Sequence, residues 1–360
     1  MSPVRVAVVG VGYWGPQLVR NLVEAPFADA LLVCDSRREA LESIARRYPG
    51  VAQTTAVEDI LRDPAIEAVV IATPIGTHYE LARRTLEAGK HAFVEKPLAA
   101  SLAEATDLVR IAEESGLVLM PGHTFLYSPP VQTIRELIRS GELGDIYFIS
   151  TSRVNLGLHQ SDASVIWDLG PHDFSILSYW LNEPPAHVTA LSRSCVMPGT
   201  PDVAFIHLEY ASGIIAHVEL SWLAPSKLRR TTIVGSQKMV VYDDTSIEPV
   251  RIFDSGVDLP TPGTFGEYRL TYRTGEIVSP RVDVAEPIAL ELADFCAAIR
   301  TGSQLRSTPR LGEEVVRIVE AAERSLAEQG ARVRVAKPRP VDDCSPQATL
   351  RCGPGSSTSP

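Results

Sequence analysis

Residues 4–15 read VRVAVVGVGYWG. The first half, Val4–Val9, is an almost continuous apolar run, the pattern of a strand buried on both faces of a parallel sheet. It runs directly into Gly10-Val11-Gly12-Tyr13-Trp14-Gly15, a GxGxxG turn that opens a helix. Small residues let such a turn's backbone approach a pyrophosphate, and the helix N-terminus stabilises its charge. Asp35 ends the second strand pattern, 20 residues past Gly15, where an acid can accept hydrogen bonds from ribose hydroxyls. A glycine-rich turn in an unrelated α/β protein is the competing reading, and the strand, helix and acid in register count against it. Gly10, Gly12, Tyr13, Trp14, Gly15, Asp35, Ser36 and Arg37 are therefore the candidate dinucleotide contacts. Asp35 favours NAD, because a carboxylate repels a 2′-phosphate. Arg37 and Arg38 keep NADP open, since a guanidinium can bind that phosphate.

Outward from this stretch the strand–helix alternation continues to about residue 121. Leu31–Cys34, Ala68–Ala72, Ala92–Val94 and Leu117–Met120 repeat the strand pattern. Thr55-x-x-Glu58, Thr77-x-x-Glu80 and Ser101-x-x-Glu104 have the form of capping boxes, and Gly89 and Gly116 sit where helices should stop. Beyond Pro121 the pattern changes. A helix near 131–139 and a strand over 145–154 precede a helix over 171–181, which Gly170-Pro171 is expected to start. Val203–Tyr210 and Ile214–Trp222 alternate around Ala211-Ser212-Gly213 as a hairpin, and helices near 286–300 and 313–328 follow. The expected fold is an α/β Rossmann domain over 1–121 and an α+β domain over 122–335. The second has a large open, mainly antiparallel sheet, one face covered by helices and the other by water, substrate or a second subunit. Residues 336–360, rich in Pro, Ser and Gly, are expected to be a disordered tail.

Composition narrows the function classes. The 360 residues are 45% hydrophobic and 22% charged, with a net charge of −10, so no basic field for nucleic acid is present. The five cysteines lack CxxC spacing, which suits a reducing compartment rather than a disulfide framework or zinc site. No run approaches the ~20 apolar residues of a membrane span, so a cytoplasmic protein is expected.

Two further clusters carry chemistry. Residues 91–100, HAFVEKPLAA, end a buried strand in Glu95-Lys96-Pro97. Pro97 restricts the backbone of Lys96 and so aims its amine, while Glu95 positions that amine or touches the cofactor. Trp167-Asp168-Leu169-Gly170-Pro171-His172-Asp173 supplies the other. There His172, read into a first helical turn, would be kept neutral by the helix dipole. Hydride transfer from an alcohol needs a base for the hydroxyl proton and a cation to hold the oxygen, and His172 and Lys96 are those two types. Each has a plainer alternative: a solvated Glu–Lys pair, and a locally bonded helix-start histidine. Thr73 and Pro74, after the fourth strand pattern, would line the nicotinamide side, and His78 is either a cofactor contact or a polar residue starting a helix.

GVGYWG, ATPIGTHYELARRTLEAGKHAFVEKPLA and WDLGPHDFSIL together resemble the glucose–fructose oxidoreductase/inositol dehydrogenase/MocA family of NAD(P)-dependent oxidoreductases, over roughly residues 3–330. The resemblance implies oxidation or reduction at a secondary carbinol of a sugar or cyclitol, and dimers or tetramers built on the open sheet. Carried onto this chain, it makes Lys96 the holder of the substrate hydroxyl and His172 the general acid/base. Asp168 becomes a partner of substrate or of His172. A cis Lys96–Pro97 peptide is a further expectation. The chain departs from the common pattern at 122–129, GHTFLYSP, which lacks an arginine, and at 163–167, ASVIW. Both lie where substrate should sit, making His123, Tyr127 and Trp167 candidate substrate contacts. These departures resemble a nucleotide-sugar and aminosugar subgroup acting at C3 of a pyranose. Arg153, Asn155 and His159, after the long strand, are substrate contacts or loop-surface residues. His207-x-Glu209 and His217-x-Glu219 face each other across the hairpin, and we read them as the wet side of a sheet or a subunit interface rather than a metal site. The expected activity is a sugar or nucleotide-sugar dehydrogenase without metal, using NAD (NADP possible). The alternatives are an inositol or cyclitol dehydrogenase and a non-catalytic NAD(P)-sensing protein.

Overall fold

The computed structural model describes residues 2–157, 159, 163–258 and 270–336. Apart from Ala336, the expected tail lies outside the described residues. The N-terminal half runs β1 (Val4–Val9), α1 (Gly15–Glu24), β2 (Ala28–Cys34), α2 (Arg38–Arg47), β3 (Ala52–Thr54), α3 (Val57–Arg62), β4 (Ala68–Ile71), α4 (His78–Glu87), β5 (His91–Glu95), α5 (Leu102–Ser115) and β6 (Leu119–Gly122). Its six strands pair in parallel in the order β3-β2-β1-β4-β5-β6. The apolar runs forecast both-face burial, and Val6, Val8, Val70, Phe93 and Val94 are all fully buried. Strand order reverses between β1 and β4, which opens a crevice outside their carboxyl ends.

The chain continues with α6 (Pro129–Arg139), β7 (Ile146–Leu156), α7 (Val165–Leu181), β8 (Pro185–Arg193), β9 (Val203–Tyr210), β10 (Ile215–Ser221), β11 (Leu223–Gly235), β12 (Met239–Asp243), β13 (Val250–Asp258), β14 (Thr271–Val278), α8 (Pro287–Thr301), α9 (Pro309–Ala327) and β15 (Val333–Arg334). A nine-stranded sheet follows the order β14-β13-β12-β11-β7-β10-β9-β8-β15. It is mixed and mostly antiparallel, with β10 and β7 the parallel pair. One face packs against α7 and α9. Helix α8 packs back on α1 and β1, and α9 on α5 and β6. A continuous apolar cluster therefore runs from Val6 and Phe93 through Phe295 to Ile149 and Leu220.

Several local expectations are corrected. Of the three expected capping boxes only Ser101 caps its helix, its hydroxyl accepting from the Glu104 N–H at 3.3 Å while the Glu104 carboxylate accepts from the Ala100 N–H at 3.2 Å. Thr77 Oγ1 instead lies 2.7 Å from Thr73 Oγ1 and from the Pro74 carbonyl. The short β3 carries no apolar run and was not read. Helix α7 begins at Val165, placing Pro171 in its interior rather than at its start. Burial of eleven of its seventeen residues offsets a proline cost of about 3 kcal/mol. His172 is thus well inside the helix, where the N-terminal dipole argument does not apply. Strand β7 runs on to Leu156, so Arg153 and Asn155 lie within the sheet and not on a loop. Gly89 and Gly116 do end their helices, at φ of +74° and +67°. His207 and His217 do stand opposite each other, ring centroids 4.8 Å apart.

Candidate active site

At the crevice the first turn is built for close approach. Gly10 has φ +93°, and a Cβ there would lie 2.5 Å from the Ala72 carbonyl oxygen. A Cβ on Gly15 would lie 2.2 Å from the Gly10 oxygen, whereas one on Gly12 would meet nothing nearer than the Arg37 guanidinium at 3.7 Å. Gly10 and Gly15 thus shape the turn, and Gly12 keeps its outer side open, the cradle a pyrophosphate requires. Tyr13 and Trp14 stand exposed beside it with rings edge to face. Asp35 accepts from the Val11 N–H at 2.9 Å through one oxygen and from the Arg37 N–H at 2.9 Å through the other, and the Arg37 guanidinium lies against both. Burial alone would raise the Asp35 carboxyl, but these donors outweigh it and hold it below its usual range.

Thr73 and Pro74 follow β4 at the same edge. Of the two readings of His78, its place favours the residue that starts a helix over the cofactor contact. It is 1% exposed, with Nδ1 2.8 Å from the Pro97 carbonyl and Nε2 2.8 Å from the Thr73 carbonyl. It ties the end of β4 to the residue that follows Lys96.

The Lys96–Pro97 peptide is cis, as expected. Lys96 Nζ donates to the Asp168 carbonyl at 2.7 Å and to Asp168 Oδ1 at 3.1 Å. Both side chains are mostly buried, 11% and 19% exposed. Asp168 Oδ2 accepts from the Trp222 indole N–H at 3.1 Å. The carboxylate is therefore bonded to Lys96 and Trp222 rather than to His172, one of the two partners expected for it. Pro171 withholds the N–H that would otherwise bond the Trp167 carbonyl, loosening α7 beside the carbonyl that Lys96 reaches.

His172 lies one helical turn after Asp168, half-buried, its ring edge on to Phe125 at 5.0 Å. Burial and the charges of Lys96, Arg153 and Arg229 hold its imidazole well below the ordinary histidine range. His123, at the tip of β6, is 1% exposed, and neither ring nitrogen has a hydrogen-bond partner among the described residues. Burial, with the Lys96 charge, pushes it down to about 3. Burial raises the Glu95 carboxyl to about 7 despite the Lys96 charge, and one of its oxygens accepts the Lys96 N–H at 3.3 Å. Glu291 on α8 is fully buried and raised well above the usual range by burial and by Glu95, and it accepts from the Thr124 hydroxyl at 2.7 Å.

Other expected substrate contacts are drawn elsewhere. The Tyr127 hydroxyl is buried and donates to Asp294 at 2.6 Å. Arg153 is buried, ion-paired with Asp173 at 2.6 Å and stacked on Phe125 at 4.6 Å. It acts on the site through the ring that supports His172. Trp167 packs between the two apolar clusters. Asn155 lies beside Gly157 and Trp222, and His159 sits over the Trp222 ring at 5.3 Å. Trp222, Phe125, Arg229 and Glu291 were not read as site residues. Trp222 ends an alternating strand and reads as core, and nothing in its neighbours signals a donor for a carboxylate 54 residues away.

A dinucleotide cradle whose sheet edge presents a lysine–aspartate pair beside a neutral histidine defines an NAD(P)-dependent oxidoreductase. Comparison with known proteins agrees. Residues 4–123 match the NAD-binding Rossmann-fold domain of the GFO/IDH/MocA oxidoreductases, and residues 131–241 match their C-terminal domain. The chain belongs to that family. It is 30% identical over 234 residues to the scyllo-inositol 2-dehydrogenase (NAD(+)) of Bacillus subtilis, covering 62% of this chain and 68% of that one. It is 25% identical over 346 residues to scyllo-inositol 2-dehydrogenase (NADP(+)) IolW of the same organism, covering 90% and 96%. The crystal structure of GenD2 from gentamicin A biosynthesis, in complex with NAD, superposes with a TM-score of 0.79 at 26% identity, covering 94% of this chain and 97% of that one.

Proposed function

We propose that the protein is an NAD-dependent dehydrogenase or ketoreductase acting on a secondary hydroxyl or ketone of a sugar, a nucleotide sugar or aminosugar at C3. The observation that carries this reading is Lys96 Nζ fixed by the Asp168 carbonyl and carboxylate at 2.7 and 3.1 Å, one helical turn from an imidazole with no hydrogen-bond partner among the described residues. Gly10, Gly12, Gly15, Asp35 and Thr73 would hold the dinucleotide, which would supply a hydride acceptor or donor. In the oxidative direction Lys96 donates a hydrogen bond to the substrate oxygen, and the lone pair of His172 takes the hydroxyl proton. The carbinol C–H leaves as hydride, and its C–O bond becomes C=O. In reduction the same groups return the proton. Asp168 keeps the ammonium aimed. NAD is preferred because the Asp35 carboxylate occupies the ribose side and already engages Arg37. A cyclitol is the second reading, favoured by the scyllo-inositol dehydrogenases among the relatives.

The test is a panel of sugars, nucleotide sugars and cyclitols with NAD and with NADP, followed by NAD(P)H absorbance. Turnover is expected on a sugar-type secondary alcohol, with the lower KM for NAD. Lys96→Ala and His172→Ala should each lower kcat by about two orders of magnitude or more with cofactor affinity nearly intact. Unchanged turnover in both variants would place the chemistry elsewhere.

A further inference from the structure

Trp222 occupies the single-residue step between β10 and β11 and is 1% exposed. Its backbone is fixed on both sides: the N–H donates to the Asp202 carbonyl at 2.9 Å, and the carbonyl accepts from the Gly157 N–H at 3.0 Å. The ring is held as well, with His159 over it and Gly157 so close that a Cβ there would come within 2.8 Å of Cδ1. An indole nitrogen only donates, so its 3.1 Å contact with Asp168 Oδ2 singles out one carboxylate oxygen and leaves Oδ1 to Lys96. Carboxylate torsions are otherwise broad and nearly two-fold, and Asp168 left to itself could turn toward His172, its neighbour one turn on. A lysine ammonium has three N–H donors. Asp168 takes two of them through its carbonyl and Oδ1, so one is left for another acceptor.

We propose that Trp222 is a positioning residue that acts through Asp168: its indole N–H sets the rotation of the carboxylate, which in turn holds Lys96 with one ammonium hydrogen directed to the substrate oxygen. This rests on the reading of Lys96 as the group that holds that oxygen. The second sheet thereby fixes the reach of a lysine that belongs to the first.

The test reads the geometry of Lys96 without requiring a substrate. Reductive methylation with formaldehyde, followed by peptide mass spectrometry, gives the labelling rate of Lys96 in the full-length protein. Trp222→Phe is expected to raise that rate at least three-fold. Asp168→Asn should raise it further, and adding Trp222→Phe to Asp168→Asn should change nothing more. Additive effects, or an unchanged rate in Trp222→Phe, would overturn the proposal. If Trp222→Phe does not fold, the indole N–H resonances decide: in Asp168→Asn the Trp222 signal should shift while those of Trp14, Trp167 and Trp180 stay. A Trp222 signal that does not move also overturns it. Should Lys96→Ala leave turnover intact while the labelling behaves as expected, the catalytic reading fails and the positioning contact stands.

Discussion

His172 is flanked by cations it does not bond. Phe125 presents its ring to the imidazole, Arg153 stacks on that ring at 4.6 Å, and Arg229 lies over it at 5.4 Å while pairing with Asp244 at 2.9 Å. Burial first, and then Lys96, Arg153 and Arg229, depress the imidazole pKa. A depressed histidine is neutral, and able to act as a base, from a pH below its ordinary value upward. The acid limb of kcat/KM for oxidation should therefore lie below pH ~6.5. Arg229→Gln removes one of the depressing charges, so that limb should move to higher pH by a few tenths of a unit to about one unit. Arg229 and Asp244 are both partly exposed, so losing the pair should cost only about 0–1 kcal/mol of stability. A limb that stays put, or moves down, would contradict the electrostatic account. Lys96 and His172 were legible because their motifs are short in sequence. Phe125 and Arg229 were not, because their influence runs through a stacked ring assembled from two distant segments.

At the scale of elements, the β1–α1 turn separates shape from contact. Gly10 requires positive φ and Gly15 has no room for a Cβ, so Gly10→Ala or Gly15→Ala should destabilise the fold itself. Gly12 has room in the protein alone, and in the proposed function that room is for the pyrophosphate. Gly12→Ala should thus leave Tm within a few degrees while raising KM for NAD at least about ten-fold. Equal damage to Tm and KM would mean that Gly12 is structural. The strands around this turn could be read from sequence because burial on both faces writes itself as an unbroken apolar run. Helix starts were less legible. Thr55 and Thr77 have the right spacing, but Thr54 rather than Thr55 accepts the Ala56 N–H, and the Thr77 hydroxyl is drawn to Thr73 and the Pro74 carbonyl. Gly170-Pro171 reads as a start, yet the long-range packing of α7 carries the helix through it. Sequence spacing sets Asp168 beside the substrate region or the histidine on its own helix and hides Lys96, which approaches from another sheet.

Across the whole molecule, one face of the nine-stranded sheet carries no helix among the described residues. Cross-strand register places Phe148, Ile215, Phe205 and Leu191 on that face, since Ile215 pairs with Phe148, Glu219 with Phe205 and Phe205 with Leu191. These four side chains are 45%, 52%, 42% and 59% exposed, whereas Ile149, Leu208, Val218 and Ala190, one residue out of phase, are fully buried. Alternation of this kind usually puts polar residues outside. Here four exposed apolar side chains share the outer face with His207, His217, Glu209 and Glu219, a mixed composition suited to covering by a second protein surface. A two-fold pairing of two copies of the sheet would cover these side chains. The chain's net charge of −10 makes non-specific association an unlikely source of such pairing. A homodimer or homotetramer is thus expected by light scattering. Phe205→Glu combined with Ile215→Glu should shift it to monomer, because four carboxylates would be buried unpaired in each two-fold interface. The core-facing side of the sheet is untouched by these changes, so the variant should keep its far-ultraviolet circular dichroism. A wild-type monomer at tens of micromolar, or a double variant that remains oligomeric, would rule out this face as the subunit interface.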